Sequence, residues 1–62
     1  MLMSIEPLRK KAGLTQAELA RIAKVTQSAV SQWEKGLAMP NTSKLPNIAK
    51  ALGCSIQQLY GN

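Results

Sequence analysis

Five polar residues at helical spacing are the ones best suited to chemistry in this chain. Ser28, Ser31, Gln32 and Lys35 follow Gln27 at intervals of one, four, five and eight, which puts all five on one face of an α-helix. The wet face of a surface helix ordinarily carries charges. This one carries amides and hydroxyls, with a single lysine at its end. Such groups read base edges: a glutamine amide pairs bidentately with adenine, and a serine hydroxyl donates or accepts. Ala29, Val30 and Trp33 form an apolar stripe on the other side, so Trp33 is expected in the core and not stacked on a base.

Catalysis finds no comparable support. Glu6, Glu18 and Glu34 are too dispersed for paired-carboxylate work. Ser31 and Lys35 have the spacing of a Ser–Lys dyad, but no oxyanion site or cleft is implied around them. One cysteine, Cys54, and no histidine leave no internal disulfide and none of the usual zinc-ligand sets. Cys54 reads as a small apolar filler. All four glycines fall at expected helix ends, so none cradles a phosphate. No catalytic residue, metal, cofactor or small-molecule substrate is expected.

The helix that carries the polar face needs partners to hold it. Before it, Thr15 caps a helix over Gln16–Ala23, and Glu18 completes a capping box. Lys24 and Val25 fill a tight turn, Thr26 caps the polar-faced helix, and Gly36 closes it. Residues 15–36 thus read as a helix-turn-helix, the arrangement that sets a helix into the major groove. Upstream, Ser4 is placed to cap a first helix reaching Ala12, with Ile5, Leu8, Arg9 and Ala12 on one face. An arginine in that stripe is unusual. In the second helix Leu19, Ala20, Ile22 and Ala23 are expected inside, the two alanines allowing close approach of a crossing helix. A loop rich in Pro, Asn, Thr and Ser follows Gly36. Ser43 is expected to cap a fourth helix with Pro46 in its first turn and Leu45, Ile48, Ala49 and Leu52 inward. Ser55 and Gln58 form a second capping box for a last short helix, with Ile56, Leu59 and Tyr60 inward. The fold class is all-α: a compact bundle of five short helices.

Length and charge agree with this reading. Sixty-two residues make one domain, 1–62. Eight Lys and Arg against three acidic residues give +5, which implies an anionic partner, nucleic acid or acidic lipid. No segment resembles a signal peptide or reaches the ~20 apolar residues of a membrane span, so a cytoplasmic location is expected.

The run LTQAELARIAKVTQSAVSQWEKG, followed by a proline and LPNIAKALGCSIQQL, resembles the lambda-repressor-like DNA-binding domains of lambdoid phage repressors, Cro proteins and similar bacterial regulators. The likeness extends from about Ile5 to Tyr60. It implies a five-helix domain that binds a palindromic operator as a homodimer, with the third helix in the major groove. Position by position, Gln16 matches a glutamine that holds a DNA phosphate. Gln27, Ser28, Ser31 and Gln32 match base-reading positions, and Asn41, Thr42, Ser43 and Lys44 match a phosphate-gripping loop. Lys10, Lys24 and Lys35 are expected to add phosphate contacts. Arg9 and Glu34 match a partly buried ion pair behind the recognition helix, which would account for the odd arginine. Two departures stand out. Lys24 occupies a turn position that usually holds glycine. The regulatory and dimerising domain of a full repressor has no counterpart in these 62 residues, so a Cro-sized regulator or an excised DNA-binding domain is expected.

The expected function is a DNA-binding transcription regulator, a repressor in the first instance. Two readings compete with it: an antitoxin-like or adaptor module that uses the fold to hold a protein, and a basic helix set that coats acidic membranes. The polar, nearly uncharged face argues against the membrane. A dimer seam is expected near the loop and the last two helices, with Met39 either crossing it or making a loose surface contact. No large apolar patch announces that seam, so dimerisation without DNA is expected to be weak.

Overall fold

A computed structural model describes residues 3–61. Within them run five α-helices: α1 (Ile5–Lys11), α2 (Gln16–Ala23), α3 (Gln27–Lys35), α4 (Leu45–Leu52) and α5 (Ile56–Leu59). A short 3-10 turn, Thr42–Lys44, leads into α4. The described residues contain no strand, and no helix among them is long and apolar enough to cross a membrane.

Local capping chemistry sets most of these boundaries. Thr15 accepts from the Glu18 amide at 3.1 Å while the Glu18 carboxylate accepts from the Thr15 amide at 2.8 Å. Ser55 and Gln58 repeat the device at 3.1 and 2.8 Å, and Thr26 Oγ1 accepts from the Ala29 amide. All three capping residues have extended backbone, with ψ between 156° and 165°. Ser4 does not cap with its side chain. Its ψ of 42° turns the hydroxyl away from the first free amides, and its own N–H instead donates to the Leu59 carbonyl at 2.7 Å. That bond ties the start of α1 to the end of α5.

Ser43 does not cap α4 either. Asn41 intervenes: its Oδ1 accepts from both the amide and the hydroxyl of Ser43, at 3.1 and 3.2 Å. An Asx residue bonding its own backbone two positions on starts a turn, and here the turn is the 3-10 segment. Helix α4 therefore begins one residue later than the Ser43 cap implied, with Pro46 in its first turn as expected.

Ile5, Leu19, Val30, Ile48 and Leu59, one from each α-helix, are fully buried and meet in a single core. Met3, Ala20, Ala23, Trp33, Leu45, Ala49 and Leu52 complete it. Small side chains at Ala20, Ala23 and Ala49 let α2 and α4 pack closely. Three expected core residues lie at the rim. Ile22 is 45% exposed because it sits roughly 100° round α2 from the centre of the Leu19–Ala20–Ala23 face. Ile56 and Tyr60 are 39% and 38% exposed: a single helical turn has room to point one large side chain inward, and Leu59 takes that place. Leu37 and Met39 in the α3–α4 loop are exposed, whereas Pro40 between Met39 and Asn41 is buried.

The α2–α3 turn keeps the left-handed backbone that glycine usually supplies. Lys24 has φ 59° and ψ 46° and is the one non-glycine residue with positive φ among those described. That conformation lets the Lys24 and Val25 amides reach back to the carbonyls of Arg21 and Ala20 at 3.2 and 2.9 Å. It costs a side-chain-bearing residue about 1–2 kcal/mol. Lys24→Gly is therefore expected to stabilise the fold by about 1 kcal/mol, offset slightly by glycine's greater unfolded freedom. Thermal denaturation followed by circular dichroism should show Tm rising by roughly 4–8 °C; a fall in Tm would mean that the lysine side chain makes contacts that outweigh the strain.

Candidate nucleic-acid interface

Helix α3 presents the polar face as its outer side. Gln27, Ser28, Gln32 and Lys35 are exposed and Ser31 is half-buried, while Val30 and Trp33 lie buried on the inner side. With its side chains a helix is roughly 10–12 Å across, which matches a major groove ~12 Å wide. No pocket opens among the described residues, and no group of three His, Cys, Asp or Glu comes together there that could hold a metal ion. What the fold offers a partner is this surface.

A charged anchor holds α3 from behind. Arg9, 8% exposed, donates from Nε to Glu34 Oε2 at 2.6 Å and from Nη2 to Glu34 Oε1 at 3.3 Å. Its Nη1 donates to the Leu14 carbonyl at 2.8 Å. One guanidinium thus joins α1, the α1–α2 connection and α3. No buried side-chain N or O among the described residues is left without a partner, so the arginine sits in the apolar stripe with its donors satisfied. Burial pushes the Glu34 carboxyl up, but hydrogen bonds from Arg9 and Gln16, with the charges of Arg9 and Lys10, outweigh it and hold the group below its ordinary value. The hydrogen bond to Glu34 likewise outweighs burial and raises the Arg9 guanidinium.

Gln16, at the start of α2, lies between this anchor and the outer face. Its Nε2 donates to Glu34 Oε1 at 2.9 Å, and its Oε1 accepts from Gln27 Nε2 at 3.5 Å. Four residues from three helices therefore form one chain, Arg9–Glu34–Gln16–Gln27. Nothing in the sequence signals the Gln16–Glu34 contact, because the two residues are 18 apart and neither belongs to a shared local motif. Asn41 and Ser43 are bonded to each other and shape the turn before α4, where Thr42 is exposed and Lys44 half-buried. Lys10 lies 3.5 Å from Glu6 in an exposed i, i+4 pair, a contact worth only a few tenths of a kcal/mol. Lys24 and Lys35 are exposed at the turn and at the end of α3. Burial pushes the Cys54 thiol up, which suits a half-buried filler and not a nucleophile.

Hydrogen bonds from the backbone and side chain of Thr15 lower the Glu18 carboxyl as well. Two carboxylates thus stay ionised to lower pH when folded than when unfolded. On acidification the unfolded chain binds protons first, so stability is fully present above the ordinary carboxyl value of 4.5 and declines as pH falls through the depressed folded values. Tm should be flat from neutrality to about pH 5 and drop below it. Glu34→Gln should weaken that drop; an unaltered profile would show that the Arg9 pair contributes nothing to acid sensitivity.

The Helix-turn-helix family pattern matches residues 5–59. Over 51 residues, 82% of this chain, the sequence is 41% identical to the Repressor protein C2 of Salmonella phage P22. It is 36% identical over 55 residues, 89% of this chain, to the HTH-type transcriptional activator BcrR of Enterococcus faecalis. The chain spans about a quarter of the length of these relatives, 24% and 27% respectively. Among solved structures, the P22 c2 repressor crystallised with a synthetic operator superposes with a TM-score of 0.87 at 39% identity, covering 95% of this chain and 92% of that one.

Proposed function

The chain belongs to the lambda-repressor-like helix-turn-helix family, and from that premise we propose that it is a sequence-specific repressor which binds a palindromic operator as a homodimer and acts in the cytoplasm. The observation that carries this reading is the outer face of α3, hydrogen-bond-rich and uncharged but for Lys35 at its end, on a helix capped by Thr26 and anchored through Val30, Trp33 and Glu34. Gln27, Ser28, Ser31 and Gln32 read base edges. Gln16, the Asn41–Lys44 turn, and Lys10, Lys24 and Lys35 set orientation through phosphates. A net charge of +5 draws the chain to duplex DNA. The operator-bound P22 c2 repressor shares this fold, which supports the same docking here. Repression is favoured over activation because binding alone suffices to block a promoter, whereas activation needs a further surface for polymerase.

Selection from a random duplex pool at ~150 mM salt, where non-specific phosphate binding is suppressed, tests the whole proposal. An inverted repeat with half-site centres about 34 Å apart is expected. A lone half-site would overturn the dimer, and no enrichment would overturn the DNA reading in favour of a protein-interaction module. On the selected site Gln27→Ala should cost about 1–3 kcal/mol and relax preference at one base pair. Lys44→Ala should weaken binding evenly across sequences and lower the salt slope by about one. Fluorescence anisotropy against matched and mismatched duplexes distinguishes the two patterns; equal loss on all sequences from Gln27→Ala would remove it from the base-reading set.

A further inference from the structure

Helices α1 to α4 end in the same way. A residue with positive φ closes each one, and the amide that follows bonds back to the carbonyl five residues earlier: Leu14 to Arg9 at 3.1 Å, Val25 to Ala20 at 2.9 Å, Leu37 to Gln32 at 2.9 Å and Cys54 to Ala49 at 3.0 Å. This ending sets the following side chain against the residue whose carbonyl accepts and the one before it, and an apolar contact there is its usual companion. After α1, α2 and α4 that seat faces the core. Leu14, Val25 and Cys54 are half-buried and pack against the core. After α3 the seat is Gln32 and Ser31, two residues of the outer face. Leu37 keeps the same backbone geometry and is consequently 74% exposed. A lone exposed leucine is commonplace, but this one is placed: its helix ending lays it beside Gln32, at the C-terminal end of the polar face.

We infer that Leu37 is a specificity-determining residue of the DNA face: its side chain covers the 5-methyl group of a thymine beside the base that Gln32 reads. An aliphatic side chain makes no hydrogen bond to a base edge. What it can tell apart in the major groove is thymine, whose methyl projects there, from cytosine, which has none. Its neighbours point to DNA and not to protein as the occupant. Lys35 precedes Leu37 by two residues and Asn41 follows it by four, so groups proposed to hold phosphates lie on both sides of it. The segment is held in place because Ala38 packs against the core and Pro40 is buried. This inference rests on the base-reading role proposed for α3 and extends that role one residue past its closing glycine.

The operator obtained by selection supplies the test. Each thymine of one half-site is replaced in turn by deoxyuridine, which lacks only the methyl and keeps the base pair, and affinity is read by fluorescence anisotropy. One of these replacements should weaken binding of the wild-type chain about fourfold, the scale of one buried methyl group. Leu37→Ala should respond to that same replacement by at most about twofold, the error of additivity. Leu37→Met, which restores the apolar reach, should recover most of the discrimination. Both variants should keep the wild-type Tm, since the side chain is exposed. Thymines that each cost the wild type and Leu37→Ala the same factor overturn the inference, as does a selected half-site without thymine. Loss of affinity in Leu37→Ala that is equal on thymine and uracil duplexes also overturns it, and would place the leucine at a contact between two bound copies. Gln32→Ala separates this inference from the reading it rests on. If that variant relaxes preference at one base pair while no thymine couples to Leu37, base reading by α3 stands and the methyl contact alone falls. If no site is enriched, both fall.

Discussion

The Arg9–Glu34 pair is the constraint on which the rest of the arrangement depends. Among the described residues it is the one place where a charge enters the core, and it does so at the junction of α1, the α1–α2 connection and α3. Bringing two ions out of water costs several kcal/mol each, and their attraction repays this only with good geometry and every remaining donor satisfied. Here the contact is close and each guanidinium nitrogen has an acceptor, with Leu14 supplying the last. The net gain in stability from such a pair is small. Its directional bonds do what an apolar contact cannot: they set the rotation of α3 about its axis and hence which side chains face outward.

Around that anchor the fold is assembled from inexpensive local devices. Thr15, Thr26 and Ser55 each satisfy an amide at a helix start. The left-handed residues Lys24, Gly36 and Gly53 each close a helix so that the chain can reverse. In so small a protein these matter, because few residues are available to bury and each cap contributes on the order of 1 kcal/mol. The five largest fully buried side chains come one from each α-helix. Loss of any helix therefore opens the core of all the others, and α3 is held by side chains from the whole fold behind it.

Where local rules operate alone, sequence and structure agree. The capping boxes, the glycine stops, Trp33 inside and Pro46 in the first turn of α4 are all governed by residues within a few positions of one another. Disagreement appears where two local signals compete or where packing decides. Asn41 and Ser43 both can start a turn, and Asn41, the earlier acceptor, displaces the Ser43 cap by taking the Ser43 amide and hydroxyl protons. Ile22, Ile56 and Tyr60 are apolar at nearly inward spacing, but a helix of four or eight residues has a narrow buried face, and they fall just outside it.

The residue pattern by itself determined the helix order, the turn within residues 15–36, the nearly uncharged outer face of α3 and the basic excess, because each follows from periodicity, capping or composition over short stretches. Tertiary structure alone decided how the outer face is held. Gln16, Gln27 and Glu34 lie on two helices and are joined to Arg9 on a third. Their contact exists only because α2 and α3 cross at the angle set by the left-handed Lys24 turn and the shared core. Sequence spacing carries no information about such a contact, since hydrogen-bond direction between side chains 11 to 25 residues apart is settled by the packing of helices and not by the order of residues.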